Sequence, residues 1–288
     1  MVQAALASHA SSDAVPNAAN HLFISDNATN RAVIFTYPAG ALVGAVTGLS
    51  GPNGECVNPT KHWVYITNTG ASNIYVVTYS GTAVAVLSDQ GLAPISCSYN
   101  VLSNKLAVVN FTTAAPANVA IYPSGGLGSP SYYFDPPMKA FYFVGYKPNG
   151  VLYLDGISTG LAFQLERLVA PTFTTMTLVM GANPPITFPG NVQWSGTSLY
   201  VGDQPTNRFI QFAIGPPLVA TAGTGSTFGG ACDIKQFFIN PAGTKIIGPD
   251  PCAAPPDAFT YPFPAGGAPI APSITAPLTF PVGAALVQ

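Results

Sequence analysis

The chain has 288 residues, with nine Lys+Arg, eleven Asp+Glu and only 7% charged residues, against about 25% in an average soluble domain. Nine scattered basic residues exclude a nucleic-acid footprint. No run of about 18 apolar residues provides a membrane span, although the mean hydropathy is +0.34.

Residues 1–20 form an Ala/Ser-rich lead-in, expected to be a flexible segment or a strap. Its first ten residues lack the basic stretch and apolar length of a working signal and fit the remnant of one. The low charge, with abundant Thr, Ser, Asn, Ala and Gly, predicts the neutral-polar surface of a secreted or periplasmic protein.

From Leu22 onward a strand, a tight turn and a second strand recur six times, over 22–38, 64–79, 106–122, 152–168, 199–212 and 246–261. The first apolar run of each copy ends in Asp or Asn: Asp26, Asn68, Asn110, Asp155, Asp203 and Asp250. The intervals are 42, 42, 45, 48 and 47 residues. A period of roughly 40–50 residues with four short apolar runs marks a propeller blade. The runs are rich in Val, Ile, Tyr and Phe and are bounded by Gly, Pro, Asn or Ser, as strands are. Sustained helical periodicity is absent, and 29 Gly with 29 Pro interrupt any long helix.

The recurrent pair reads as the second and third strands of a blade, counted from the axis. Outermost strands follow a Pro/Gly turn such as Pro38-Ala39-Gly40. Innermost strands begin near a proline, at Pro52, Pro94 and Pro189. The first unit lacks an innermost strand, and Leu278-Thr279-Phe280-Pro281 repeats the start of Ile186-Thr187-Phe188-Pro189. The expectation is an all-β, six-bladed β-propeller over 21–288, with four-stranded blades. Residues near 281–287 would close the ring as the inner strand of blade one, removing a free edge.

Cys56, Cys97, Cys232 and Cys252 lack the spacing of a zinc site. Cys232, read as opening an inner strand, and Cys252, in the turn of the same blade, map to one rim, where a disulfide is expected. A bridge between Cys56 and Cys97, on neighbouring inner strands, is the less expected one. Buried free thiols are the alternative.

The six Asp/Asn side chains should surround one rim. They either accept hydrogen bonds from the backbone of the turn that follows or bind a polar ligand. Tyr37, Tyr79, Tyr122, Phe212 and Tyr261, each ending a third strand, read as wedges between blades. Inner-strand Tyr142, Phe143, Tyr146, Trp194 and Phe237, beside Gln193 and Gln236, are candidates to line an axial pocket for a sugar or small aromatic ligand. With His9, His21 and His62 the only histidines, a Ser-His-Asp triad is not expected. The Gly-rich 223–230 stretch precedes a strand rather than a helix, so it reads as a loop. Asn27-Ala28-Thr29 and Asn110-Phe111-Thr112 are glycosylation sequons in a eukaryotic secretory host.

Two copies are nearly identical, Asp26-Asn27-Ala28-Thr29-Asn30-Arg31 and Asp203-Gln204-Pro205-Thr206-Asn207-Arg208. This Asp-x-x-x-Asn-Arg before a strand resembles the NHL-repeat family of six-bladed propellers, and the architecture is similar to the gluconolactonase and strictosidine-synthase-like group. The resemblance implies a propeller from Leu22 to the C-terminus. It leaves the chemistry open, because such propellers include hydrolases and binding scaffolds. Lactonase-type relatives imply an axial divalent cation held by Glu, Asn and Asp. The matching positions here are Glu55, Asn191 and Asp233, an oxygen donor set suited to Ca²⁺ or Mg²⁺. Two functions follow as expectations: a monomeric propeller binding a small molecule or protein on one rim, or a metal-assisted lactonase or esterase.

Overall fold

The computed structural model describes residues 20–112, 116–274 and 277–288. Apart from Asn20, whose carbonyl accepts the Tyr37 N–H, the lead-in lies outside the described residues. Blade 1 consists of β25 (Pro281–Val287), β1 (His21–Asp26), β2 (Arg31–Thr36) and β3 (Leu42–Val46). Blade 2 is β4 (Pro52–Asn58), β5 (Trp63–Asn68), β6 (Asn73–Thr78) and β7 (Ala83–Ser88). Blade 3 is β8 (Pro94–Asn100), β9 (Lys105–Asn110), β10 (Ala117–Tyr122) and β11 (Ser131–Asp135). Blade 4 is β12 (Met138–Tyr146), β13 (Leu152–Ser158), β14 (Phe163–Val169) and β15 (Thr172–Thr175). Blade 5 is β17 (Pro189–Ser195), β18 (Ser198–Asp203), β19 (Arg208–Gly215) and β20 (Val219–Thr227). Blade 6 is β21 (Phe238–Ile239), β22 (Lys245–Asp250), β23 (Asp257–Pro262) and β24 (Ile270–Ile274).

Burial explains why the runs lack polar alternation. Every residue of β1 and β25 is buried, as are nearly all of β5, β9, β18 and β22. Such strands are covered on both faces by neighbouring blades. Outer strands such as β3 and β15 are mostly half-buried or exposed. Among the described residues, six apolar clusters fill the six interfaces, one between each pair of adjacent blades. Tyr122, Phe212 and Tyr261 lie inside them, and Tyr37 and Tyr79 pack against their edges half-buried.

The C-terminal strand closes the ring. β25 pairs antiparallel with β1 through Leu22↔Leu286, Phe23↔Ala285 and Ile24↔Ala284.

Three features depart from the expected blades. Blade 5 gains a fifth strand, β16 (Thr177–Val179), laid parallel on the long outer strand β20 by the chain leaving blade 4. Blade 6 has an inner strand of only two residues, so Cys232 does not open a strand. The segment ahead of it turns to its neighbour instead, its Lys235 carbonyl accepting the Asn191 N–H. Both cysteine pairs are disulfides. Cys232–Cys252 lies within blade 6, and the less expected Cys56–Cys97 ties blade 2 to blade 3, with Cα separations of 5.9 and 5.7 Å. Neighbouring inner strands converge near the axis closely enough to be bridged.

Two measurements check this closure. Amides 282–287 are expected to exchange as slowly as those of β1, and exchange at the rate of a free tail would overturn the β25–β1 pairing. A thiol titration under denaturing, non-reducing conditions should find no free thiol and, after reduction, all four. Reduction should cost roughly 2–4 kcal/mol per bridge.

Candidate functional site

All six Asp/Asn side chains are buried, none more than 1% exposed. Their partners are chiefly the backbone that enters the inner strand of the same blade, not the turn that follows. Asp26 accepts from the Thr279 and Phe280 N–H groups at 3.0 and 2.7 Å, just before β25. Asn68 accepts from Ser50 N–H at 2.5 Å, before β4. Asp203 accepts from Thr187 and Phe188 N–H at 3.1 and 3.2 Å, before β17. Asp250 accepts from Cys232 and Asp233 N–H at 2.8 and 3.1 Å, and Asp155 from Phe143 N–H at 2.9 Å. In blade 3 Asp89 takes the backbone role, accepting from Gly91 N–H, and Asn110 donates to Asp89 at 3.2 Å. Burial pushes the Asp203 carboxyl up, but the combined hydrogen bonds of Thr206, Thr187 and Phe188 outweigh it and hold it below the usual range.

The duplicated motif completes the clamp. Arg208 ion-pairs with Asp203 at 2.9 Å and donates to the Pro184 and Pro185 carbonyls, while Arg31 donates to the Pro277 carbonyl. Asn30 and Asn207 adopt positive φ of 55° and 47°. Each accepts from the segment entering the next blade, at Gly51 N–H (2.8 Å) and Ile234 N–H (3.1 Å).

Inner strands approach one another closely about halfway along the axis. A Cβ at Gly54 would lie 2.6 Å from the Ile95 carbonyl oxygen, and one at Gly145 equally close to that of Val192. Gln236 spans the gap: its Oε1 accepts from Glu55 and Ala284 N–H at 3.0 and 3.3 Å, and its Nε2 donates to the Glu55 carbonyl at 3.2 Å. This waist divides the axis into two recesses that share Gln236.

The recess where the inner strands end has a volume of about 350 Å³. Tyr79, Tyr99, Tyr146, Trp194 and Phe238 form its aromatic wall, and the Cys56–Cys97 bridge is part of its lining. Among the described residues no Lys, Arg or His lines it. Gln193 exchanges two hydrogen bonds with the Ile239 backbone, at 2.8 and 3.2 Å. Asn191 Nδ2 donates to the Phe237 carbonyl at 2.6 Å. The candidate amides therefore join blade 5 to blade 6 and blade 6 to blades 1 and 2. Three polar atoms of lining residues are buried without a partner: Glu55 Oε2, Tyr146 Oη and Trp194 Nε1. Tyr146, Trp194 and Phe237 line the recess, whereas Tyr79, Tyr99 and Phe238 were not foreseen as lining residues. For Tyr99 the signal was its place two residues after Cys97, on the same face of β8.

Glu55 is 2% exposed and accepts from Ser25 Oγ at 2.7 Å. Burial pushes its carboxyl up to about 8, against the opposing hydrogen bonds of Ser25 and the Ala285 backbone. Glu55 and Asn191 line this recess, but Asp233 does not; it lies 3.6 Å from Lys235, a third exposed. With Asp233 outside that lining, the three side chains do not line one common cavity for an axial Ca²⁺ or Mg²⁺. The Cys232, Asp250 and Cys252 donors do cluster within 4.8 Å, but the disulfide removes both thiolates. His21 Nδ1 lies 3.0 Å from the Tyr79 carbonyl oxygen, and His21 lines neither recess.

The Glu55 carboxyl gives a signed pH dependence. Its ordinary value is 4.5 and its folded value about 8. Between the two, the folded protein keeps a proton that the unfolded chain has released. Its contribution is therefore full below about pH 4.5 and is lost as pH rises towards 8. Glu55→Gln stays neutral throughout, so the variant should melt above the wild type at pH 8 and near it at pH 4.5. Burial also raises Asp89, Asp155 and Glu166, but both proteins share those groups. An offset that is equal at both pH values would show that Glu55 is ionised at neutral pH.

No protein-family model and no curated protein matches the sequence. Solved structures do match the fold. A nidogen/laminin complex contains a chain with a TM-score of 0.73 and 11% identity, covering 93% of this chain and 98% of that one. The periplasmic gluconolactonase of Pseudomonas aeruginosa gives 0.62 at 13% identity, covering 94% and 99%. The calcium-binding protein regucalcin of Agrobacterium tumefaciens gives 0.54 at 13% identity, covering 76% and 72%. At such identities the likeness shows the fold alone: a six-bladed β-propeller whose structural neighbours include lactonase-type and regucalcin-like proteins.

Proposed function

We propose that this protein is an exported, non-catalytic binding propeller that takes a small uncharged ligand in the aromatic recess where the inner strands end. The observation that carries this reading is the recess itself. Its wall is aromatic, with no Lys, Arg or His among the described lining residues and one cation, Lys147, over the Trp194 ring at 4.9 Å, and three of its lining residues hold unpartnered polar atoms. Leaving a buried donor unpaired costs about 1–3 kcal/mol, a cost that an acceptor oxygen of a ligand would offset. Tyr and Trp faces suit a sugar ring or a small aromatic body. Two disulfides fit an oxidising compartment, and a periplasmic gluconolactonase stands among the structural neighbours. The metal-assisted hydrolase reading gains a related fold from those neighbours, but no step of it can be built on Glu55, Asn191 and Asp233 as placed.

Trp194 lines the recess, and Trp63, the other tryptophan, does not. A Trp63→Phe variant therefore reports from the site alone. Titration with neutral monosaccharides and phenyl glycosides is expected to give a saturable change in Trp194 fluorescence for at least one of them, abolished by Tyr146→Ala. The absence of any saturable response across the set would overturn this reading.

A further inference from the structure

The mouth where the inner strands begin carries a recess of different character. Asn53, Ile95, Gln204 and Val282 are among the residues lining a cavity of about 260 Å³ there. It adjoins a second cavity, of about 330 Å³, which reaches Lys139, Ile157 and Leu161 of blade 4. Phe111, Tyr142 and Phe188 belong to both linings. Their rings meet edge to face, with centroids 5.2 Å apart for Phe111–Tyr142 and 5.0 Å for Tyr142–Phe188. All three are half-buried, so they offer an aromatic ridge that an apolar body can cover.

The charge here is one-sided. Lys235 lines the inner cavity and Lys139 the outer one, and neither lining contains an Asp or Glu, in a chain whose net charge is −2. Lys139 is exposed and makes no ion pair among the described residues. The Lys235 Nζ is 3.6 Å from Asp233, both side chains a third exposed. It also lies 5.0 Å from the Phe280 ring. An exposed pair of this kind is weak and yields to a competing anion. Two buried acids stand by the ridge: burial raises the Asp155 carboxyl well above the usual range, and Asp203, which accepts from the Phe188 N–H, is neutralised by its ion pair with Arg208.

We propose that this recess binds a small amphipathic anion, an aromatic or acyl carboxylate, with its apolar body on Phe111, Tyr142 and Phe188 and its charged end at Lys235. The site is separate from the neutral recess across the waist, and nothing in it depends on that assignment.

Two fluorescent probes of similar ring structure test it: the anion anilinonaphthalene sulfonate and the uncharged N-phenylnaphthylamine. The folded wild type is expected to bind the sulfonate saturably and more tightly than the amine, an advantage lost in about 0.5 M salt. Lys235→Gln should weaken the sulfonate by about two- to tenfold and leave the amine unchanged. Asp233→Asn, which frees Lys235, should tighten the sulfonate, and Phe188→Ala should weaken both probes. Trp194→Ala is expected to affect the amine alone, since the neutral recess across the waist can also take it. Indifference of the sulfonate to both Lys235→Gln and Asp233→Asn, or its loss in Trp194→Ala, would overturn the proposal.

Discussion

A buried Asp or Asn at the end of each second strand, accepting from the chain that enters the blade or, in blade 3, donating to the Asp89 that does so, is the constraint on which the ring depends. A propeller chain must leave the outer edge of one blade, cross the rim and dive to the axis to begin the next. The backbone N–H groups of that crossing become buried before any strand partner can take them. Asp26, Asn68, Asp203 and Asp250 accept those groups directly, and an unpaired one would cost about 1–3 kcal/mol. In the two full Asp-x-x-x-Asn-Arg copies the Arg binds carbonyls of the same crossing, and the left-handed Asn reaches the crossing of the following blade. The motif thus ties each blade to its own inner strand and to the next blade in one turn.

This division of labour explains why the fold was legible in the sequence. The clamp needs an Asp or Asn at one fixed place per blade, so its recurrence gave the period and the number of blades. The likeness of 278–281 to 186–189 predicted the closing strand for the same reason, since both are crossings held by an Asp, Asp26 and Asp203. Blade 6 departed from the pattern because its inner segment satisfies its backbone sideways, the Lys235 and Phe237 carbonyls accepting from the Asn191 backbone and side chain. Pairing of that kind leaves no periodic mark.

The site was less legible, and the amides show why. Gln193, Gln236 and Asn191 stand near the axis as expected, yet their polar ends are occupied by the backbones of neighbouring inner strands. A sequence places a side chain at an axial depth; it does not say whether a ligand or the next blade will take its hydrogen bonds. Cys56 and Cys97 pose the same problem in covalent form. Their bridge depends on how far two adjacent strands converge, and Gly54, close against the Ile95 carbonyl between the same two strands, permits that approach. Trp194, by contrast, keeps its place in the wall of the recess because an aromatic face has no backbone group to be spent on.

The waist has a further consequence. Gln236 is shared by the two recesses on the axis, and each mouth has its own lining and electrostatics. One is walled by tyrosines, Trp194 and a carboxyl that burial keeps protonated to about pH 8. The other has an aromatic ridge between two lysines. Charge is scarce in this chain, yet two of its nine basic residues line one mouth, while at the other Lys147 stands over the Trp194 ring. The residues at the waist hold the ring together, and it is the strand ends beyond them that remain free to recognise a ligand.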